Sequence, residues 1–143
     1  MSTLGQPKGE IVPVFSQATR HILRAMNGHG INRYLVVNGM NIDAPNDQKS
    51  PYTQAATNWM KAHYPEITDD GQRAFNILRH SDLSWTLVRL PLVELTDIRS
   101  DINVSLEDCP GEKISATSLA HFLIDQLISK QFMQKAPFVA NAQ

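Results

Sequence analysis

Three short stretches could contact a ligand because each combines a turn residue with the end of an apolar run: Leu4-Gly5-Gln6, Asn38-Gly39-Met40 and Leu90-Pro91-Leu92. Open parallel sheets bind ligands beyond the carboxyl ends of their strands, where loops and helix N-termini converge. A glycine in the first two stretches would let a ligand approach the backbone closely, since no Cβ intervenes. Glycines that only shape turns fit the same spacing, so both interpretations stay open.

Several sequence motifs that indicate a known kind of active site are absent. The sequence contains no G-x-G-x-x-G and no G-x-x-x-x-G-K-[ST] stretch, either of which would cradle phosphates. It also lacks G-x-S-x-G and H-E-x-x-H, the signatures of a serine nucleophile and of a zinc protease. Cys109 is the one cysteine, and the histidines show no metal-ligand spacing. The sequence therefore identifies no catalytic residue, and no metal site is expected.

Structural roles account for the remaining polar and aromatic candidates. Arg89 lies inside an apolar run and needs a partner if it is buried; an anion contact is open, and a structural salt bridge is favoured. Thr68 with Asp69-Asp70 fits a helix N-cap followed by first-turn carboxylates better than a pair of general bases. Trp59 and Trp85 are expected in the core.

The elements that must position these residues alternate between helix and strand. The nearly continuous apolar run 31–37 is typical of a strand covered on both faces in a parallel sheet. The segment 41–52 is polar and contains two prolines, so we expect a loop that does not pack. The full predicted order is a strand tail at 1–4, a helix from Pro13 to Gly28, a strand at 31–37, helices at 54–63 and 68–81, strands at 84–90 and 102–106, a helix from the cap Ser115 to Leu127, and a short edge strand at 138–139.

Length and composition exclude several classes of protein. With 143 residues, 42% of them hydrophobic, the chain fits a single domain over 1–143. The formal charge of −1 leaves no basic stripe for nucleic acid, and no apolar run approaches the ~18–20 residues of a membrane span. A lone cysteine suits a reducing compartment, so we expect a cytoplasmic protein.

The order of these pieces resembles the atypical short-chain dehydrogenase/reductase proteins that bind NAD(P)H, a group that includes NmrA-like regulators and flavin reductase/biliverdin-IXβ reductase enzymes. Thr3-Leu4-Gly5 resembles the end of the family's fourth strand. The other matching stretches are 14–19 with 30–37, 68–79 leading into 83–91, and 113–123, the last of which resembles a late helix of the family.

The resemblance implies an α/β, truncated Rossmann-like, three-layer fold with a mostly parallel sheet flanked by helices. It also implies NAD(P)H as the cofactor of a reductase-like protein, with one group of residues lining the nicotinamide and substrate end: Leu4, Gly5, Asn38, Gly39, Pro91 and Leu92. A non-catalytic module that binds a small molecule or a protein is the alternative on the same scaffold.

Departures from the family bear on catalysis and on assembly. The family's N-terminal strands and Gly-rich turn are absent, and so is a Tyr-x-x-x-Lys pair. Gly39 stands where flavin-reducing relatives have a serine, and Leu92 stands where they have a histidine. The missing strands would leave a sheet edge at the strand ending in Leu4, and exposed edges invite pairing with another chain. We therefore expect a homodimer formed across this edge.

Overall fold

A computed structural model describes residues 1–5, 9, 10 and 12–143. The chain forms four helices within these residues: α1 (Phe15–His29), α2 (Pro51–His63), α3 (Pro65–Arg79) and α4 (Ala116–Gln126). The strands described are β1 (Arg33–Gly39), β2 (Ser84–Leu90), β3 (Leu92–Glu94), β4 (Ile102–Ser105), β5 (Lys113–Ser115) and β6 (Phe138–Asn141). None of the described helices is both long and apolar enough to cross a membrane.

The main sheet has the strand order β1-β2-β6-β4 and is mostly parallel. β1 and β2 run parallel over seven residue pairs, from Arg33 opposite Ser84 to Gly39 opposite Leu90. β6 joins β2 in parallel, whereas β4 pairs with β6 in the antiparallel sense. β3 and β5 form a second, two-stranded parallel sheet. Because parallel strands require crossover connections, α2 and α3 both lie between β1 and β2 in the chain.

Helices cover the two faces of the main sheet and make three layers. On one face, Phe75 and Leu78 of α3 pack with Met26 of α1 against Tyr34 and Trp85. On the other face, α4 contributes a second apolar cluster together with residues of β2 and β6, which contains Val88, Leu119, Phe122, Leu123 and Val139. This arrangement confirms the α/β class and the mostly parallel, Rossmann-like sheet expected from the sequence.

The predicted cap at Thr68 is wrong, because α3 begins three residues earlier, at Pro65. Proline suits the first position of a helix, where its missing N–H costs nothing. Thr68 lies inside the helix and donates its hydroxyl hydrogen to the backbone oxygens of Tyr64 and Pro65. Asp70 is buried and accepts hydrogen bonds from the N–H and the hydroxyl of Ser16. Its carboxylate therefore caps the first turn of α1, a neighbour in space, and leaves the start of α3 uncapped by a side chain.

The predicted edge strand at 138–139 is an internal strand instead. β6 extends to Asn141, lies between β2 and β4, and is fully buried at Phe138 and Val139. The sequence pattern was too short to reveal this position, because a run of two apolar residues does not tell an edge from a centre.

The segment 41–52 packs, contrary to the sequence expectation. Ile42 is fully buried, and Asp47 forms a 2.7 Å salt bridge with the buried Arg89. The favoured structural salt bridge of Arg89 is thus confirmed. Trp85 lies in the core as predicted, whereas Trp59 is 52% exposed and stacks on His63.

Candidate functional site

Three chain segments end side by side at the carboxyl edge of the main sheet. The N–H of Ser2 donates to the oxygen of Leu35 at 2.8 Å, and the oxygen of Ser2 accepts from the N–H of Val37 at 3.2 Å. This isolated parallel bridge places the start of the chain beside β1, where a strand tail was expected, and carries Leu4 toward the end of β1. Since β1 and β2 are in register, the predicted stretches around Leu4, Asn38 and Pro91 share one edge.

The end of β1 is fixed by backbone bonds and by the Asn38 amide. Asn38 Oδ1 accepts from the N–H of Gly39 at 2.8 Å, and the N–H of Met40 donates to the oxygen of Leu90 at 2.9 Å. A Cβ added at Gly39 would collide with Oδ1 of Asn41, so the space beside this glycine is already filled by a side chain of the same loop. A larger residue at position 39 would have to displace the Asn41 side chain.

Gly5 and Leu92 form the open part of the edge. No atom of the described residues lies within 4 Å of a Cβ placed on Gly5, and the Leu92 side chain is 68% exposed. Pro91 between β2 and β3 is buried, and the N–H of Leu92 donates to the oxygen of Glu112 at 3.3 Å. Gln6, the last residue of the first predicted stretch, lies outside the described residues. Among the described residues, the Gly5 backbone and the side chains of Leu4 and Leu92 are therefore the most exposed parts of this edge, and Asn38 is half-buried.

A narrow cavity behind this edge is too small for an organic ligand. Leu4 and Asn38 line it together with core residues of α1 and α3, and its volume of about 30 Å³ suits a single water molecule. Tyr34 also lines this cavity; burial raises the pKa of its phenol, and a hydrogen bond with Ser2 partly opposes that rise. A cofactor at this edge must therefore lie on its outer surface.

The loop that follows β1 contains a buried lysine that pairs with the aspartates of the same loop. The Lys49 side chain is 3% exposed, and its ammonium donates to Asp43 Oδ1 at 2.7 Å and to Thr57 Oγ1 at 3.1 Å. Burial by itself would raise the pKa of Asp43, but hydrogen bonds and charges from Lys49 and Lys61 outweigh it and hold that pKa below its ordinary value. These ion pairs fix the loop at the end of β1.

The roles of Asp47 and Lys49 could not be predicted from the sequence. A buried Arg89 needs a counter-ion, but the sequence does not show which of several acidic residues supplies it. Lys49 gave no signal, because a lysine in a polar loop is ordinarily solvated.

The residues at this edge can hold and orient a ligand, but they cannot donate or accept a proton. None of the six predicted contact residues carries an acid or a base, and Asn38 provides the one polar side chain among them. No group of three or more His, Cys, Asp or Glu side chains in the described part of the chain could hold a metal ion. Open Gly5 backbone, an exposed Leu92 and the Asn38 amide fit the flat nicotinamide end of NAD(P)H. The sequence offers no Gly-rich turn that fits its pyrophosphate.

The chain is similar to several solved enzymes of Rossmann type. A short-chain dehydrogenase/reductase from Veillonella parvula, solved with NADP, shares 17% identity at a TM-score of 0.74 and is matched over 92% of this chain and 60% of its own. The oxidoreductase YlbE from Lactococcus lactis shares 10% identity at a TM-score of 0.72, with 97% and 59% covered. ChuY, an anaerobilin reductase from Escherichia coli O157:H7, shares 13% identity at a TM-score of 0.70, with 90% and 59% covered.

These likenesses show a shared fold, and the chain spans about 60% of the length of the Veillonella enzyme. No curated protein matches the chain. Residues 1–130 match the family described as NAD(P)H-binding, which is nearly the whole chain. That match includes the parallel strands β1 and β2 and all three stretches at the carboxyl edge. The chain belongs to this NAD(P)H-binding family.

Proposed function

We propose that the chain supplies the nicotinamide-side half of an NAD(P)H-dependent reductase of the atypical short-chain dehydrogenase/reductase group. Leu4, Gly5, Asn38, Gly39, Pro91 and Leu92 line the nicotinamide and the substrate in this proposal. The observation that carries it is the convergence of three parallel segments at one edge, where Gly5 is open and Leu92 is exposed. Ligands of open α/β sheets bind at such edges.

The residues of this site position reactants and leave proton transfer to solvent. NAD(P)H, when bound, would supply a hydride to the substrate. The backbone at Gly5 admits a flat ring at close range, the Leu92 side chain covers it, and the Asn38 amide, held by its bond to Gly39, orients a polar group. Because no acid stands among these residues, a flavin-like or quinone-like acceptor that takes its proton from water suits the site best.

Titration of the protein with NADPH and NADH, followed by fluorescence and by thermal unfolding, tests the proposal. A ligand that binds the native state raises the unfolding temperature in proportion to its saturation. Gly5→Leu should weaken binding at least about tenfold, roughly 1.4 kcal/mol, by filling the open approach. Gly28→Leu is the matched control, because a Cβ at Gly28 also meets open space but lies on α1, away from the edge.

Saturable binding that Gly5→Leu weakens and Gly28→Leu leaves intact would support the site. Equal binding by both variants, or no shift with either cofactor, would overturn it. If binding is found, oxidation of NAD(P)H with flavin or a quinone above the rate without protein would establish the reductase.

A non-catalytic binding module is the second candidate, and one observation favours it. The six contact positions contain no titratable side chain, so nothing at the edge is specialised for proton transfer. Cofactor binding without turnover of flavin or quinone would support the module over the reductase.

We also propose that the segment Met1–Gly5 pairs with a second copy of the chain. Ser2 uses its N–H and its oxygen to bond β1, so by strand alternation the backbone groups of Thr3 face away from the sheet. Light scattering at tens of micromolar, the range of weak self-association, should show a dimer for the native chain and for Thr3→Ala. Thr3→Pro removes the outward N–H and should give a monomer. A monomeric native chain would overturn the proposal.

We propose a cytoplasmic location because the single cysteine, Cys109, is a buried free thiol. The thiol is buried and donates to the oxygen of Gly111 at 3.2 Å, and burial raises its pKa. A single protonated thiol suits a reducing compartment. Fluorescence microscopy of the tagged chain in its source cells would test the location.

A further inference from the structure

A second cavity lies on the face of the main sheet that carries α3, away from the residues proposed to line the nicotinamide. It has a volume of about 250 Å³ and is lined by residues of α3, β2, the loop after β1 and the segment before β6. None of the six proposed cofactor contacts lines it. We call it the Arg89 pocket and define it by six of its lining residues: Phe75, Arg79, Trp85, Arg89, Leu106 and Lys135.

Two buried donors of this pocket have no hydrogen-bond partner. Arg89 is fully buried; its Nε donates to the oxygen of Ala136 at 2.9 Å, and its Nη1 donates to Asp47 Oδ2 at 2.7 Å and to the oxygen of Ile42 at 3.0 Å. Nη2 of the same guanidinium has no hydrogen-bond partner among the described residues. Nε1 of Trp85, which is 5% exposed, has none among them either. Oδ1 of Asp47 is likewise buried and unpartnered within this part of the chain, so the second oxygen of the carboxylate that pairs with Nη1 does not serve Nη2. Buried donors almost always find a partner, so Nη2 and Nε1 each have room for a further acceptor.

The charges around the pocket favour an anion. Asp47 lies beside Arg89 and offsets its charge through Nη1. Arg79 and Lys135 are exposed lining residues, and neither forms a salt bridge with an acidic residue in the part of the chain that the structure describes. Two uncompensated cations therefore remain, and both contribute hydrogen-bond donors and no acceptors.

The lining of the pocket combines hydrogen-bond donors with apolar side chains. Arg89 and Trp85 stand four residues apart on β2, so their side chains leave the same face of the sheet about 13 Å apart along the strand. Lys135 pairs with β2 next to Trp85, through the bridge to Thr86. Phe75 packs edge-on against Trp85, with ring centroids 5.7 Å apart, and Leu106 adds apolar surface.

We propose that the Arg89 pocket binds a short aliphatic dicarboxylate. One carboxylate accepts from Nη2 of Arg89, and the other accepts from Nε1 of Trp85 and pairs with Arg79 and Lys135, while the methylene chain lies along Phe75 and Leu106. Two negative charges balance the two free cations, and charge-assisted hydrogen bonds to carboxylate are the strong class that buried guanidinium groups form.

Thermal unfolding of the full chain with succinate, glutarate and adipate at constant ionic strength and pH tests this inference. Glutarate or one of its two neighbours should raise the unfolding temperature saturably at millimolar concentrations. Butyrate, with one carboxylate, should bind at least about tenfold more weakly, as the loss of one charge-assisted bond predicts. Equal effects of butyrate, inorganic sulfate and the dicarboxylates would overturn the proposal, and so would no effect of any.

Two variants separate ligand binding from a merely structural role. Trp85→Phe keeps an aromatic ring and removes the N–H, so it should weaken dicarboxylate binding about tenfold. The smaller ring leaves a cavity that lowers the unfolding temperature of the ligand-free protein, so binding is read from the shift that the ligand produces within each variant. Lys135→Ala should weaken binding about fivefold, in line with a solvent-exposed pair, and Lys130→Ala is its matched control because Lys130 is exposed and lies outside the pocket. Unchanged binding in both Trp85→Phe and Lys135→Ala would overturn the site.

Discussion

β1 and β2 are parallel partners of equal length that differ in burial. Six of the seven residues of β2 are buried, whereas two of the seven in β1 are. β2 lies between β1 and β6 with apolar clusters on both of its faces. β1 has on its other side the short segment Met1–Gly5, joined to it at Ser2. β2 is therefore the more buried of the two strands and is expected to contribute more to stability, whereas β1 leaves more of its surface exposed.

Register allows this difference to be tested residue by residue. Val37 lies opposite Val88, and Asn38 lies opposite Arg89. In each pair the β2 member is fully buried and the β1 member is half-buried. Matched substitutions at paired positions then compare the two strands at the same height in the sheet.

The largest effect is expected at Arg89. Arg89→Ala removes the 2.7 Å salt bridge and leaves Asp47, which is 11% exposed, with the more distant Lys49 ammonium, 3.9 Å away, as its counter-ion. Loss of one partner of a buried pair costs about 3–5 kcal/mol of unfolding free energy. Asn38→Ala removes a bond to the neighbouring Gly39 N–H and should cost about 1 kcal/mol. Urea unfolding of both variants gives the comparison.

Removing both partners of that salt bridge sharpens the result. Arg89→Met with Asp47→Ala should recover part of the lost stability, since no isolated charge then remains buried. Equal costs for Arg89→Ala and Asn38→Ala would contradict the assignment of β2 as the stabilising strand.

A smaller difference is expected between the paired valines. Val88→Ala deletes two methyl groups from a fully buried site and should cost about 2–3 kcal/mol, combining transfer and cavity contributions. Val37→Ala makes the same change at a half-buried site of the opposite strand and should cost about 1 kcal/mol. Chemical denaturation at low protein concentration measures both; a cost at Val37 that matches Val88 would mean that something covers β1 in solution.

The same contrast explains which features could be predicted from the sequence. The apolar runs of β1 and β2 and the periodic faces of α1 and α4 are local patterns, so the fold class and most elements followed from them. The role of Asp70 did not, because a carboxylate after a threonine fits a local cap, and nothing local shows that it bonds Ser16 across 54 residues of chain.

For the candidate site too, some features could be predicted from the sequence and others depend on tertiary packing. Its location at the strand ends follows from strand order alone. Asn41 fills the space beside Gly39 because of the conformation of its loop. The buried, unpartnered donors of Arg89 and Trp85 result from packing between distant elements. Such contacts are tertiary, so no window of sequence around one residue contains them.

The two aspartates of the loop after β1 give the smallest expected effect. Asp47 bonds the buried Arg89, whereas Asp43 is 46% exposed and pairs with Lys49 and Lys61 at 2.7 Å each. The pKa of Asp43 in the folded chain lies below its ordinary value of 3.8. Its carboxylate therefore stabilises the fold above that value, and this contribution disappears as the pH falls through the lower, folded pKa.

Asp43→Asn should consequently reduce stability at neutral pH by less than about 1 kcal/mol, because exposed ion pairs are screened by water and salt. The deficit relative to the native chain should begin to shrink below pH 3.8, where the carboxylate of the unfolded chain becomes protonated, and it should vanish as the pH falls through the lower pKa of the folded chain; it should also shrink in high salt. Urea unfolding across this pH range measures both trends. A deficit that stays constant down to the lowest pH would show that the ion pairs of Asp43 contribute nothing, and that the loop after β1 is held by Lys49 and the buried Asp47 alone.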